Sequence, residues 1–174
     1  MGKKIAFLAT NGFEDSEFLY PYIRIKEAGH NPTIISLTKD SIKGKNGVPM
    51  NPDLEISEAN PDDYDALILP GGANNPDHLR RHQNVLDFVA KINEQNKLIA
   101  AICHAGWVLI SAGICEGKRV TSTPAIKDDM ENAGAIWIDE AVVLDQNLVS
   151  SRRPIDLPIY MKTYIDLLKK HYQK

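Results

Sequence analysis

Cysteine is scarce in this 174-residue chain: Cys103 and Cys115 are the only two, which does not resemble the disulfide framework of a small secreted domain. Each sulfur needs its own explanation. Also missing near the N-terminus is an apolar run long enough for a signal peptide or membrane span, because Met1 to Thr10 is followed by Asn11, Glu14 and Asp15. There is no basic excess either. Against 20 Lys and Arg stand 23 Asp and Glu, so no electrostatic hold on the phosphates of nucleic acid is expected. No repeat, low-complexity tract or linker divides the chain. These absences predict one cytoplasmic domain over residues 1–174 with no membrane partner and no stable nucleic-acid partner.

What is present is a regular alternation. Lys4 to Thr10, apolar on both faces, predicts a strand covered on each side, and Thr33 to Leu37, Asp65 to Leu69 and Leu98 to Ile102 repeat that pattern. Between them Phe18, Leu19, Tyr22, Ile23 and Ile25 recur at helical spacing until Gly29, with Pro21 expected to kink or restart the helix. Val85 to Ile92, Trp107 to Ile110 and Leu157 to Lys170 predict further helices, and 119–121, 135–137 and 147–150 short strands. The breaker-rich stretch from Asp40 to Asp53 reads as a small hairpin excursion where no chemistry is expected. The predicted fold is α/β, a flavodoxin-like three-layer sandwich with a mostly parallel sheet and helices on both faces.

In such folds ligands bind outside the carboxyl ends of the strands. Three turns lie there: Asn11-Gly12-Phe13-Glu14, Pro70-Gly71-Gly72 and Cys103-His104-Ala105-Gly106. Cys103 stands between an apolar strand and a helix, the context of a nucleophile elbow with Cys in place of Ser. A helix N-terminus favours the thiolate and lowers the thiol pKa, and backbone N–H groups beside it and at Gly71 and Gly72 can hold an oxyanion, with Ala105 leaving the backbone open. The plain alternative is a small buried hydrophobe, which is the reading favoured for Cys115. Glu14 either faces Cys103 across the crevice or serves, with Asp15 and Glu17, the start of a helix. His104 adjoins Cys103, and since neighbouring side chains generally diverge, its reach depends on geometry. Asp77 either orients His104 or caps a helix after Pro76. His78 and His82, four apart, lack a third metal ligand. Arg152 and Arg153 either bind a substrate carboxylate or pair with Asp156.

Taken in order, Phe13-Glu-Asp-Ser-Glu17, Tyr20-Pro-Tyr22, Lys26-Glu-Ala-Gly-His30, Asp65 to Gly72, Ala101-Ile-Cys-His104, Leu109-Ile-Ser-Ala-Gly113, Asp128-Asp129 with Asn132-Ala-Gly134, and Ser150-Ser-Arg152 resemble the PfpI family of intracellular cysteine hydrolases, within the DJ/PfpI and class I glutamine amidotransferase-like superfamily. The resemblance spans nearly the whole chain. It implies Cys103 as nucleophile, Glu14 as its carboxyl partner, His104 as the accompanying histidine and Gly71-Gly72 as part of the oxyanion site. No metal and no cofactor are expected. It further implies a homodimer or higher homo-oligomer, in whose protease-like branch a neighbouring subunit supplies the acid that meets the histidine; Asp77 holds that position here, where that branch has Glu. Ala105-Gly106-Trp107 departs from the Gly-Pro-Gln of many relatives, so substrate identity is not inherited.

The resemblance suggests a stress-protective hydrolase acting on carbonyl adducts, with small carbonyl compounds or modified and misfolded proteins as substrates. Its alternatives are an intracellular cysteine peptidase, or a non-enzymatic redox-sensing or chaperone-like oligomer in which Cys103 is oxidised reversibly. A glutamine amidotransferase is rejected, because Ser150 to Asp156 contains no His.

Overall fold

The computed structural model describes residues 2–171. In chain order its elements are β1 (Lys4–Leu8), α1 (Asp15–Glu27), β2 (Asn31–Ser36), β3 (Ile42–Lys43), β4 (Pro49–Met50), β5 (Leu54–Glu55), β6 (Ala66–Leu69), α2 (Asn74–Leu79), α3 (Gln83–Glu94), β7 (Leu98–Ile102), α4 (Gly106–Ser111), β8 (Arg119–Val120), α5 (Lys127–Asn132), β9 (Ile136–Trp137), β10 (Val142–Asp145), β11 (Leu148–Ser151) and α6 (Leu157–His171). Seven strands form the main sheet in the order β10-β11-β7-β6-β1-β2-β5. All pair in parallel except β10, which runs antiparallel to β11. The antiparallel hairpin of β3 and β4 confirms the excursion expected there.

Alternation along the strands supplies both faces. On β1, Ala6 and Leu8 enter a core with Val85, Phe88 and Val89 of α3, Val108 and Leu109 of α4 and Met130 of α5. Ile5 and Phe7 enter the opposite core with Phe18 and Ile25 of α1 and Tyr160, Met161 and Tyr164 of α6. Each large apolar side chain hidden this way contributes about 1.5–3 kcal/mol against the entropy of ordering the chain. The fold class follows the sequence expectation, and the differences are local: the edge strand β5 and the short helices α2 and α5 were not expected. Pro21 neither ends nor restarts α1, which continues through it with Pro21 on the buried face. The edge strand β10 was not expected; its residues Val142 to Asp145 alternate weakly, and pairing with β11 rather than intrinsic pattern makes them a strand.

Leaving β1 the chain crosses to β2 on one side, and β6 lies on the other. The crevice between β1 and β6 is therefore the point where the winding reverses, which is where such sheets bind ligands. Because β7, β6 and β1 are consecutive neighbours, the three turns at their carboxyl ends lie together.

Candidate active site

Two of the turns are clamped to one another before any reactive group is considered. The fully buried Asn75 accepts the Thr10 N–H with Oδ1 at 2.7 Å, and its Nδ2 donates to the carbonyls of Pro70 at 2.9 Å and Gly71 at 3.3 Å. The Glu14 N–H donates to the Gly71 carbonyl at 3.3 Å. Gly72 is required at this contact. Its φ is +81°, and a Cβ there would lie 2.6 Å from the Glu14 nitrogen and the Gly12 oxygen.

The third turn carries the sulfur. Cys103 follows β7 directly with φ of +61°, in the left-handed region, and opens a single 3₁₀ turn that leads into α4. A non-glycine residue held there stores strain of about 1–3 kcal/mol, a pattern that clusters at functional sites. The conformation also settles the reach of the histidine, since Cys103 Sγ and His104 Nδ1 are 3.2 Å apart. The N–H groups of His104 and Gly72 act on the sulfur and favour its anion.

The carboxyl group against Cys103 belongs to Glu17, not to Glu14. Glu17 is fully buried, and at Gly71 an added Cβ would collide with Glu17 Oε2 and lie 2.7 Å from Cys103 Cβ, so only glycine lets the two side chains meet. The Cys103 thiol and the Gly71 N–H lie close enough to act on the Glu17 carboxyl, yet neither carboxyl oxygen has a partner with hydrogen-bond geometry. Glu14 instead pairs with Lys45 and accepts from Ser16 Oγ at 3.4 Å. The physical reason is register: Glu17 lies four and eight residues before Pro21 and Ile25 on the buried stripe of α1, whereas Glu14 is the residue before the helix. That stripe was visible in the sequence and is the signal that identifies Glu17.

Burial, followed by the charge of Glu14, pushes the Glu17 carboxyl up to about 8, so it holds its proton at neutral pH. Burial and then negative charge on Glu17 push the Cys103 thiol up to about 12, the reverse of the lowering expected from a helix N-terminus. The six residues of α4 supply too little dipole, and the two amides cannot offset desolvation. Ionisation of either acid opposes ionisation of the other. The reactive form is thus a thiolate beside a protonated Glu17, whose O–H can donate to sulfur. Burial lowers the His104 pKa, with Lys45 adding to it, which leaves a neutral imidazole able to take the thiol proton. Near this pair the buried Tyr160 hydroxyl has no partner, and burial and then Glu17 hold its phenol protonated.

Lys45 was missed because Gly44 and Gly47 carry no periodicity that would show where their loop folds. Asp15 folds it. Its Oδ1 and Oδ2 accept the Val48 and Asn46 N–H groups, each at 2.9 Å, the Lys45 N–H donates to the Phe13 carbonyl at 2.9 Å, and Gly12 donates to the Lys43 carbonyl at 2.8 Å. The Lys45 ammonium is thereby placed beside Glu14 and within the field of Glu17 and Cys103. Lys45→Gln is expected to slow iodoacetamide alkylation of Cys103 about threefold at low ionic strength, with the difference fading as salt is added because the ammonium is half-exposed. Alkylation rates measured across pH and salt would check this.

The remaining expected residues divide. Gly72 presents its N–H to the sulfur, but that of Gly71 faces Glu17 and not a substrate oxygen. Ala105 is completely buried in the core, which removes its side chain from any substrate surface. Asp77 of α2 forms an ion pair with Arg81 in the turn that follows the helix, and no hydrogen bond or ion pair joins it to His104. Arg152 pairs with Asp156 and Asp139, taking the structural alternative. Cys115 is buried in the core. Among the described residues no group of three or more His, Cys, Asp or Glu is arranged to hold a metal, and no helix is long and apolar enough to cross a membrane.

A sequence profile of the DJ-1/PfpI family matches residues 3–167. The chain is 47% identical to Deglycase PfpI of Pyrococcus furiosus over 166 residues, which cover 95% of this chain and 99% of that one. It is 40% identical to Protein/nucleic acid deglycase 2 of Escherichia coli over 97% and 99% of the two chains. Among solved structures, a two-domain protein of Anabaena variabilis with DJ-1/ThiJ/PfpI-like and ferritin-like domains superposes with a TM-score of 0.94 at 40% identity, over 96% of this chain and 48% of that one.

Proposed function

The chain belongs to the DJ-1/PfpI family, and on that premise we propose that it is a stress-protective, cysteine-dependent hydrolase of carbonyl adducts, a deglycase acting through Cys103. The observation that carries this reading is the strained turn at Cys103, with His104 Nδ1 3.2 Å from the sulfur and the Glu17 carboxyl against it. The deglycase names of the Pyrococcus and Escherichia relatives support it.

For an adduct of methylglyoxal the chemistry balances without any outside oxidant or reductant. The amine or thiol departs with a proton, and the Cys103 thiolate adds to the aldehyde carbon so that the carbonyl electron pair becomes a hydroxyl. His104 takes the thiol proton. Glu17 gives its proton to the carbonyl oxygen as the thiolate adds, and the carboxylate so formed carries the proton of that carbon to the neighbouring carbonyl carbon while the hydroxyl proton passes to the second oxygen, oxidising the first carbon as it reduces the second. A thioester of a 2-hydroxy acid results, and water hydrolyses it to restore the thiol. The His104 and Gly72 N–H groups favour charge at the sulfur throughout. The family's homo-oligomeric habit adds a second role for Asp77, supplied to His104 by a neighbouring copy.

The test is to incubate the purified protein with methylglyoxal adducts of a thiol and an amine, with free methylglyoxal, and with a fluorogenic peptide. Release of the free thiol or amine together with lactate, and no peptide cleavage, is expected. Peptide cleavage without lactate would transfer the protein to the peptidase class. Inertness toward all of them, with ready oxidation of Cys103 by peroxide, would leave the redox-sensing role.

A further inference from the structure

Tyr160, on α6, is fully enclosed, and its hydroxyl has no hydrogen-bond partner among the described residues. Tyr164, one turn further along the helix, donates its hydroxyl to the Leu67 carbonyl at 3.2 Å. One phenol of this buried face is therefore accounted for and the other is not. The core around Tyr160 is apolar, with Phe13, Phe18 and Ile102 packed in it and Cys103 at its margin. Phenylalanine would fill that space without burying an unpaired hydroxyl, whose cost is comparable to that of a lost hydrogen bond.

In the same core two further oxygens lack a partner, and both belong to the Glu17 carboxyl group. The helices that carry the two residues, α1 and α6, pack against each other on one face of the sheet, and the field of Glu17 reaches the phenol. When Glu17 gives its proton to the substrate it becomes a carboxylate in a fully buried position, where an anion without a donor is costly. The groups that face it are few. Gly71 offers its N–H, Lys45 acts from the hairpin loop, Glu14 opposes it, and the Cys103 sulfur is by then bonded to substrate. The terminal torsion of a glutamate is soft, so the carboxylate can turn toward the phenol. We propose that the Tyr160 hydroxyl donates a hydrogen bond to the Glu17 carboxylate formed during turnover, which makes Tyr160 a positioning residue that acts through Glu17. The phenol keeps its proton throughout; its bond is charge-assisted while Glu17 is ionised and ordinary once Glu17 is protonated again. This role rests on the deglycase reading of Cys103.

The test follows the ionisation of Glu17 in the resting protein and the turnover of adducts separately. The carboxyl stretching band that Glu17→Gln removes from the infrared spectrum is titrated in the wild type, in Tyr160→Phe, and in a protein with 3-fluorotyrosine, a stronger donor of nearly the same size, in place of Tyr160. A donor to the ionised form lowers the pH at which a carboxyl group ionises. Tyr160→Phe is therefore expected to raise the proton affinity of Glu17 about tenfold, the scale of a hydrogen bond to a charged group, and the fluorinated ring to lower it. For the methylglyoxal adduct of a thiol, kcat is expected to fall about tenfold in Tyr160→Phe with KM unchanged. In the Glu17→Gln background the same replacement should change kcat less than about twofold, which a merely structural role for Tyr160 would not produce. A proton affinity of Glu17 that moves less than about twofold in Tyr160→Phe overturns the proposal, as does an equal loss of kcat in both backgrounds. Should Tyr160→Phe fail to fold, the fluorinated protein decides alone, and an unmoved titration there overturns the proposal too. The titration needs no substrate. A shift in the expected direction with no adduct turned over by the wild type would sustain the bond between Tyr160 and Glu17 and remove the deglycase reading. Adduct turnover with the titration unmoved would do the opposite.

Discussion

Replacement of Cys103 by Ser is expected to lower adduct turnover about a thousandfold or more while leaving the fold intact, the loss typical of removing a nucleophile whose surroundings persist. A hydroxyl in this position is too weak an acid for His104 to activate, although the neighbouring amides and the crevice remain. Cys103→Gly separates reactivity from strain. The wild-type φ of +61° is one that glycine adopts freely, and a left-handed conformation costs an ordinary residue about 1–2 kcal/mol. The glycine variant is therefore expected to be inactive and more stable in chemical denaturation by about 1 kcal/mol. Lower stability than wild type would show that the turn holds no strain.

Glu17→Gln is expected to have the largest effect on stability and to divide two activities that normally run together. The Glu17 carboxyl titrates near 4.5 in an unfolded chain and at about 8 in the folded one. Between those values the folded state binds a proton that the unfolded state has released, so this group's contribution is complete below pH 4.5 and is lost as pH rises through 8. Gln carries no such penalty. At about 1.4 kcal/mol per pH unit, its advantage grows from nothing near pH 4 to about 5 kcal/mol at pH 9. Denaturation curves at pH 4, 7 and 9 would measure it, and parallel curves for the two proteins would refute the buried-carboxyl account. Turnover of adducts should fall about a hundredfold, because an amide cannot carry a proton between carbons. Alkylation of Cys103 should instead rise more steeply above pH 8, where wild-type Glu17 carries the negative charge that opposes the thiolate and Gln carries none.

The layered fold was legible because buried parallel strands leave runs such as Ala66–Leu69 and Leu98–Ile102 that little else produces. The cysteine turn was legible for the same reason, lying where one of those runs gives way to small residues. The acid partner was not, because Glu14 and Glu17 both suit a helix start, and only their register with Pro21 and Ile25 separates them. Lys45 lay beyond local reading altogether. Its position depends on Asp15, 30 residues earlier in the chain. The pKa of Cys103 was misjudged in sign because a sequence shows a helix after the sulfur but neither how short that helix is nor how thoroughly the sulfur is enclosed.

The place of β7 in the sheet bears on how the sulfur can be approached. With β6 hydrogen-bonded along one edge and β11 along the other, the amides of Ile99 to Ala101 belong to the part of the molecule that opens last, and their exchange with deuterium should require global unfolding. Reagents then gain access to Cys103 through the entrance formed by surrounding side chains rather than by fraying of the strand that carries it. Bulky maleimides should therefore react at rates set by their diameter, and mild denaturant should leave those rates unchanged until the whole molecule melts.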